Sequence, residues 1–308
     1  MYQLIAKTDS RNLNSFKNDL KFEAYIGRKY EPKFFIKNKK KFRNIHLPTF
    51  FIKKNKKFDL DLISENFFIK KESFKILNKY YKLCKKTKIN NLVIHAGFYD
   101  STKPKKLHQS LKRLNIDLKK FFNGKVNLYF ENVPKWINQY EKNNPLNSNL
   151  YELKLFKRLI PKSKILIDVD HLSINYAFEY FYKFYNFRNL SKDRLEKIYL
   201  KFAKQNSQKL KNSINKNIKK VIDFINPKLI HAVGSDFLNY RSYKKLPLIG
   251  EALPLNFSGI IQGKQVTDQI NHKMWMRNKK SKLIVVEIIK GTLSIKAFMT
   301  IRDELRLI

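Results

Sequence analysis

The chain of 308 residues contains one cysteine, Cys84, and its apolar runs are short. A single thiol excludes a disulfide framework and a thiolate metal cluster within the chain, and it fits a reducing compartment. Runs such as KLIVVEII stay far below the roughly 20 apolar residues of a membrane span, and the opening MYQLIAKTDS has no signal-peptide pattern. We therefore expect a cytoplasmic protein without a membrane segment, in which Cys84 is an inert core thiol.

Acidic residues are also few. Asp and Glu number 25 against 65 Lys and Arg, which gives a net charge of +40. This excess favours polyanionic partners, namely nucleic acid or phosphorylated metabolites. Glycine is scarce as well, with 8 residues, and the abundance of Lys together with Asn, Ile, Phe and Tyr is what an AT-rich genome imposes on any protein. Both explanations stay open, and because the basic runs are scattered we expect only weak, non-specific binding to nucleic acid.

Eight short apolar segments read as buried parallel strands, and most intervals between them have the pattern of amphipathic helices. The segments are residues 2–6, 22–26, 44–48, 91–97, 126–132, 164–170, 229–234 and 282–288. Eight strands that alternate with helices over about 300 residues predict an α/β fold, a (β/α)8 TIM barrel that forms a single domain over 1–308. The interval 172–228 is oversized and holds at least two helices. It is either a wall over the site or extra packing on the outside.

Ionisable side chains stand at or near the carboxyl ends of six of these strands. They are His46, His95, Glu131, Asp168, His231 and Glu287. In a barrel those strand ends converge on one face, where active sites lie. An unpaired buried carboxylate costs several kcal/mol, roughly, and a divalent cation compensates it. A lone strand histidine is more often a core residue, and a lone glutamate often pairs with lysine, but six such groups together predict a metal site.

The predicted ligands are of two kinds. Glu131, Asp168, His231 and Glu287 form the expected site for one divalent ion, Mn²⁺, Zn²⁺ or Mg²⁺. His46 and His95 are the candidate ligands of a second ion, and we expect one ion rather than two. By strand alternation Asp170 is expected to point outward.

The ordered series IHLP, VIHAG, FENVP, IDVDH, IHAVGSD, LPLIGEALPLNF and VVEI resembles the xylose-isomerase-like TIM-barrel superfamily over nearly the whole chain. That superfamily holds sugar and sugar-phosphate isomerases and epimerases together with endonuclease IV. In the epimerase branch, the resemblance implies one cation at Glu131, Asp168, His231 and Glu287, with the two glutamates as the acid/base pair and His171 against the substrate. In the endonuclease branch it implies a zinc at His46, His95 and Glu131, a second zinc at Asp168, His231 and Glu287 bridged by Glu131, and a third that uses His171.

The chain departs from both branches. Lys244 and Leu246 stand where the resemblance requires the Asp and His of the third zinc, so that site is broken and apurinic endonuclease chemistry is disfavoured. Phe237 stands where many of the epimerases carry an arginine, six residues after the histidine of the seventh strand. The usual contact with a sugar hydroxyl is therefore missing, and the substrate stays open.

We therefore expect a metal-dependent isomerase or epimerase that acts on a small polyhydroxy carbonyl compound, with or without a phosphate. The cation would stabilise an enediolate, Glu131 and Glu287 would move the proton, and His171 would orient a substrate oxygen. Three lysines after the fourth strand, Lys103, Lys105 and Lys106, either attract a phosphate or belong to a solvated loop. The alternative function is an endonuclease IV-like phosphodiesterase with a reduced metal site, and a third possibility is a barrel that binds a metabolite without turnover.

Overall fold

A computed structural model describes residues 3–8, 21–25, 32–122, 124–134, 142–146, 149–185, 190–232, 235, 238, 260–261, 264–265, 270–271, 274–275 and 283–286. The chain divides into two compact units. We call Gln3–Val133 with Glu141–Leu166 the first unit, and Met1–Tyr2, Pro134–Tyr140 and Ile167–Ile308 the second unit.

Strands and helices alternate along the described chain. The strands are β1 Gln3–Thr8, β2 Phe22–Tyr25, β3 Phe42–His46, β4 Phe50–Lys53, β5 Lys56–Asp59, β6 Asn91–His95, β7 Tyr99–Asp100, β8 Asn127–Glu131, β9 Lys142–Asn143, β10 Lys164–Asp168, β11 Leu229–Ala232, β12 Ile260–Ile261, β13 Lys264–Gln265 and β14 Leu283–Val286. The α-helices are α1 Pro32–Lys37, α2 Phe67–Thr87, α3 Pro104–Leu118, α4 Leu150–Leu159, α5 Val169–Tyr182, α6 Lys192–Gln205 and α7 Ser207–Ile225. Single 3-10 turns lie at Lys39–Lys41 and Lys119–Phe121.

All eight predicted strand segments are strands, and they pair in parallel. In the first unit the hydrogen-bonded order is β1, β2, β3, β6, β8 and the first three residues of β10. In the second unit the last two residues of β10 pair with β11, and β11 pairs with β14. Three consecutive residues of β6, Leu92, Val93 and Ile94, are fully buried, as expected for parallel strands that are covered on both faces.

The end of β10 differs from the sequence prediction. The strand stops at Asp168, and Val169 begins helix α5, for which Asp168 is the N-cap. The expectation that Asp170 points outward is wrong, because Asp170 lies in the first turn of a helix, where strand alternation no longer applies, and it is buried. A capping aspartate ends the strand two residues earlier than the apolar pattern suggests.

A hairpin after β3 was not predicted from the sequence. Strands β4 and β5 pair in antiparallel register around Lys54 and Asn55, which have φ angles of 48° and 59°. Two consecutive residues with positive φ form the turn that matches the twist of a hairpin, and Asn tolerates this conformation. The sequence around the turn is rich in lysine, so it lacks the alternation of apolar and polar residues that would identify the two strands.

The interval 172–228 is helical, as predicted, and it holds α6 and α7 after most of α5. Residues 191–225 form two helices rather than one, because the helix is interrupted at Asn206, whose backbone is not helical. Aromatic rings join α5 to α6: Tyr199 meets both Phe178 and Phe181 edge-on, with ring centroids 5.2 Å apart in each pair. The helical interval 172–228 therefore has an aromatic core between α5 and α6. Among the described residues no helix combines the length and apolarity needed to cross a membrane.

Candidate metal centre

Strand register in the first unit fixes where three candidate ligands lie along their strands. His95 and Glu131 are direct cross-strand partners on β6 and β8, while His46 on β3 is the partner of Val93, two residues before His95. Since side chains alternate along a strand, His95 and Val93 share one face. The register therefore places all three side chains on the same side of neighbouring strands.

Both imidazoles converge on one carboxylate oxygen. The distance from Glu131 Oε2 is 2.6 Å to His46 Nε2 and 3.0 Å to His95 Nε2. The two rings meet edge-on with centroids 5.4 Å apart, and one ligand atom from each of the three residues lies within 4.8 Å of the others. Glu131 and His46 are buried, and His95 is 11% exposed. These three residues, which we call the His–His–Glu group, are the right types and are close enough to hold a divalent cation.

The orientation of the His46 ring is compatible with a cation at this group. Its Nδ1 lies 2.7 Å from the carbonyl oxygen of Leu47, which can only accept, so Nδ1 carries the proton. In a neutral imidazole the lone pair of Nε2 then faces Glu131 Oε2, which is also an acceptor. A proton or a metal ion has to compensate this approach of two acceptors. A ring N–H held by a backbone carbonyl is also the usual outer contact of a metal-bound histidine.

A tight turn directly follows His95. Gly97 has φ of 112°, in the region that favours glycine, and a Cβ at this position would collide with the carboxylate of Asp61. Its carbonyl accepts a hydrogen bond from Asn144 Nδ2 at 2.9 Å, and Leu62 N donates to Ala96 O at 3.1 Å. The two residues that follow His95 are therefore held through their backbone carbonyls.

The second unit brings three other predicted residues together. Asp168 and His231 are cross-strand partners on β10 and β11 and are almost fully buried, with His231 Nδ1 3.5 Å from Asp168 Oδ2. His171, one turn into α5, has its Nδ1 3.9 Å from the same oxygen. The other oxygen, Oδ1, accepts from the backbone N–H of His171 at 3.0 Å. Asp168 therefore serves as a helix cap and faces two imidazoles.

The predicted basic loop contains lysines that are already paired. Lys106 lies 2.7 Å from Glu65, and its hydrogen bond holds the pKa of Glu65 below the ordinary value. Lys103 lies 3.2 Å from Asp100, whose pKa is lowered chiefly by a hydrogen bond from Thr102. Lys105, on the first turn of α3, is exposed. A cavity of about 310 Å³ lies in this part of the first unit. It is lined by Ile63, Glu65, Phe98, Tyr99, Asp100, Lys103, Lys106 and Ser110.

Several residues singled out in the sequence lie outside the described residues. They are the predicted ligand Glu287 and the three departures from the superfamily pattern, Phe237, Lys244 and Leu246. Sequence reasoning also missed one contact within the site, the carbonyl of Leu47 that fixes the orientation of His46. No residue type could have signalled this contact, because a backbone carbonyl is present at every position.

Neither a protein family model nor a curated protein sequence matches the chain. Solved structures do. A D-tagatose 3-epimerase-like protein has a TM-score of 0.60 at 11% identity, covering 98% of this chain and 97% of its own. A xylose isomerase domain protein from Planctomyces limnophilus has 0.55 at 10%, covering 99% and 95%. An AP endonuclease of family 2 from Brucella melitensis has 0.56 at 8%, covering 98% and 99%.

These likenesses establish the fold. At identities of 8% to 11% over nearly whole chains, the similarity is one of architecture and not of sequence. The chain has the fold of the xylose isomerase-like TIM-barrel proteins, which confirms the predicted (β/α)8 barrel and, at the level of fold, the resemblance drawn from the motifs. Because one fold supports many reactions, the reaction has to be argued from the site.

Proposed function

We propose that the protein is a metal-dependent isomerase or epimerase that acts on a small polyhydroxy carbonyl compound. The observation that carries this proposal is the burial of Asp168 beside His231 at the paired ends of two strands, each with at most 1% of its side chain exposed. Two imidazoles face the same buried carboxylate oxygen, since Asp168 Oδ2 lies 3.5 Å from His231 Nδ1 and 3.9 Å from His171 Nδ1. Mixed nitrogen and oxygen donors that converge in this way suit a divalent cation.

The donor set fits a divalent ion with mixed nitrogen and oxygen ligands, such as Mn²⁺ or Zn²⁺. Following the resemblance, we assign the ion to Asp168 and His231 together with Glu131 and Glu287. When bound, such an ion polarises a carbonyl and its neighbouring hydroxyl and acidifies the C–H between them. The carbonyl of Leu47 and the backbone N–H of His171 orient the site from outside, since they fix His46 and Asp168.

Proton transfer is assigned to carboxylates of the chain. Glu131 would remove the proton from the substrate carbon. Glu287 would return one either to the opposite face of that carbon, which inverts it, or to the neighbouring carbon, which moves the carbonyl. His171, held at the start of α5, orients a substrate oxygen through its imidazole. The loss of the third-zinc residues at Lys244 and Leu246 favours this reaction over phosphodiester cleavage, because those residues would complete a three-ion site around a phosphate.

A second candidate is a two-metal phosphodiesterase, and the His–His–Glu group favours it. With Nε2 of His46 and His95 both directed at Glu131 Oε2, a second ion could be held beside the first, with Glu131 as the bridge. Two ions held side by side stabilise both the attacking and the leaving oxygen of a phosphodiester. The two candidates therefore differ in the number of ions and in the role of His95.

Elemental analysis of purified wild type and His95→Ala, with His108→Ala on α3 as the matched control, tests the proposal. We expect about one tightly held ion in all three, and a raised KM for keto-sugars only in His95→Ala. Two ions in wild type, one in His95→Ala and cleavage of abasic DNA would establish the second candidate. Absence of a bound ion, with turnover insensitive to chelators, would contradict both.

A further inference from the structure

A chain of polar side chains crosses five strands of the first unit at the ends opposite to the candidate ligands. Its members are Glu23 on β2, Asn44 on β3, Asn91 on β6, Asn127 on β8 and Lys164 on β10. Four hydrogen bonds join neighbours: Asn44 Nδ2 to Glu23 Oε2 at 2.9 Å, Asn91 Nδ2 to Asn44 Oδ1 at 2.9 Å, Asn127 Nδ2 to Asn91 Oδ1 at 2.9 Å, and Lys164 Nζ to Asn127 Oδ1 at 2.7 Å. We call this set the amide ladder.

The amide ladder has one direction and a charge at each end. Each asparagine donates through its Nδ2 towards Glu23 and accepts through its Oδ1 from the Lys164 side, so the chain runs from an ammonium to a carboxylate. Hydrogen bonds arranged head to tail in a low-dielectric interior polarise one another and strengthen. Glu23 and Asn44 are fully buried, where an amide out of place would cost a full desolvation penalty. The ladder therefore tolerates only one relative position of these strands.

Four of the five strands that carry the ladder, β3, β6, β8 and β10, also carry a candidate ligand. Asn91 precedes His95 by four residues, and Asn127 precedes Glu131 by four. Even spacing puts both members of each pair on the same face of the strand, about 13 Å apart along it. Lys164 stands in the same relation to Asp168. The ladder at one end of the strands and the ligands at the other end therefore share the same register.

The ladder also spans an irregularity in that register. Between β2 and β3 the pairing shifts after Phe22, so that Glu23 lies opposite Asn44 and Arg43 is the extra residue. Arg43 is exposed, and beyond it Asn44 and His46 share a face. A one-residue slip would turn both to the other face, and a two-residue slip would move His46 by about 7 Å along the strand. Asn44, bonded to both neighbouring strands, prevents either slip.

We propose that the amide ladder positions the His–His–Glu group, by locking the register of β3, β6 and β8 so that His46 and His95 both reach Glu131. Its members touch neither substrate nor cation, and they act through the strands. The inference rests on the proposed metal-dependent function only for its metal readout, because convergence of the two imidazoles on Glu131 is a property of the chain itself. Loss of contacts that orient metal ligands directly commonly weakens metal binding 10- to 100-fold, and a register shift would misplace the ligands themselves.

Asn91→Leu tests the ladder at its centre. The substitution keeps the size of the side chain, takes the donor from Asn44 Oδ1 and takes the acceptor from Asn127 Nδ2. Thr87→Val is the control, since it removes a buried hydroxyl that donates within α2 to Leu83 O at 2.8 Å and to Cys84 O at 3.4 Å. We expect both variants to have lower melting temperatures. Only Asn91→Leu should bind Zn²⁺ at least tenfold more weakly and change the visible spectrum of the Co²⁺-substituted protein, because a shift of β8 displaces Glu131, the one member of the group that is also assigned to the ion.

The metal-free protein gives an independent readout. At one fixed pH, the Nε2 resonances of His46 and His95 report on their contact with Glu131, and Asn91→Leu should shift them while Thr87→Val leaves them in place. If wild type binds no metal but these shifts occur, the ladder stands and the proposed function fails. Unchanged resonances and unchanged Zn²⁺ affinity in Asn91→Leu would overturn the ladder.

The end of the ladder provides a second pair of variants should Asn91→Leu not fold. Lys164 is half-buried, and Lys164→Met keeps an unbranched apolar side chain while removing the donor to Asn127 Oδ1. Lys164→Gln retains an N–H donor without the charge. We expect Lys164→Met to shift the histidine resonances and Lys164→Gln to restore them. Identical resonances in wild type and both variants would also overturn the ladder.

Discussion

At the scale of single residues, the most informative group is the carboxylate of Glu131. It is buried and faces the Nε2 atoms of His46 and His95 at 2.6 and 3.0 Å. A carboxylate this close to two imidazoles is ready to serve as a metal ligand, and in our proposal it is also a base. The two roles make different demands on the side chain. A neutral amide oxygen can still bind a cation, but an amide is too weak a base to take up the proton.

The substitution Glu131→Gln separates these roles. We expect turnover to fall by at least 10³-fold, which lies within the range of 10² to 10⁴ typical for loss of a general base, while part of the bound metal is retained. Elemental analysis and steady-state kinetics on one preparation measure both quantities. Glu152→Gln is the control, because Glu152 is also a buried carboxylate but accepts a hydrogen bond from the hydroxyl of Tyr99 on another part of the first unit. Turnover equal to wild type in Glu131→Gln would remove Glu131 from catalysis.

At the scale of secondary structure, Asp168 connects the site to helix α5. Oδ1 caps the helix through the N–H of His171, and Oδ2 lies 3.5 Å from His231 Nδ1. An N-cap is worth roughly 1 kcal/mol, and Asn caps as well as Asp does. Asp168→Asn should therefore lose metal affinity with little change in the free energy of unfolding. Asp168→Ala should lose the same affinity and about 1 kcal/mol of stability in addition.

Denaturant unfolding of metal-free wild type, Asp168→Asn and Asp168→Ala measures the capping role without the metal. Ser191→Ala serves as a comparison, because Ser191 caps α6 through the N–H of Arg194, and no metal role is assigned to it. Equal stability of Asp168→Asn and Asp168→Ala would show that the cap contributes nothing. Full metal affinity in Asp168→Asn would show that the carboxylate charge is not needed in the site.

The same elements show how far sequence reasoning reaches. The eight barrel strands were predictable because each is a short apolar run. Their ends also indicated side chains that lie together within each unit, namely His46 and His95 with Glu131, and Asp168 with His231. The hairpin of β4 and β5 was not, since its turn depends on positive φ at Lys54 and Asn55 within a lysine-rich stretch. The start of α5 was missed because Asp168 serves both a strand and a helix. The amide ladder was also missed, because lone asparagines at strand starts give no signal until register is known.

At the scale of the whole molecule, the proposed metal site would link metal binding to stability. Ligands contributed by several strands can come together only in the folded chain, so an ion that binds the folded state stabilises it, by about 2.7 kcal/mol when the free ion is at 100 times its Kd. Stripping the metal with a chelator should lower the melting temperature, and adding Mn²⁺ or Zn²⁺ should restore it. Calorimetric scans of treated, untreated and reconstituted protein measure the effect. A melting temperature that does not respond to either step would contradict the metal site.

The net charge of +40 belongs to the same scale, and it has two explanations that experiment can separate. If the charge reflects base composition alone, duplex DNA should bind weakly through phosphates, equally well with and without an abasic site, and binding should largely disappear at physiological salt. A protein that contacts six to ten phosphates loses about 10³- to 10⁵-fold in affinity between 50 and 200 mM salt.

Fluorescence anisotropy with matched intact and abasic duplexes over a salt series makes this comparison, and gel analysis of the same samples detects nicking. We expect parallel salt dependences for the two duplexes and no cleavage, since Lys244 and Leu246 replace the residues that a third ion would need. A preference for the abasic duplex that persists at high salt, together with nicking that depends on two bound ions, would reverse the assignment. The His–His–Glu group would then belong to a two-metal phosphodiesterase.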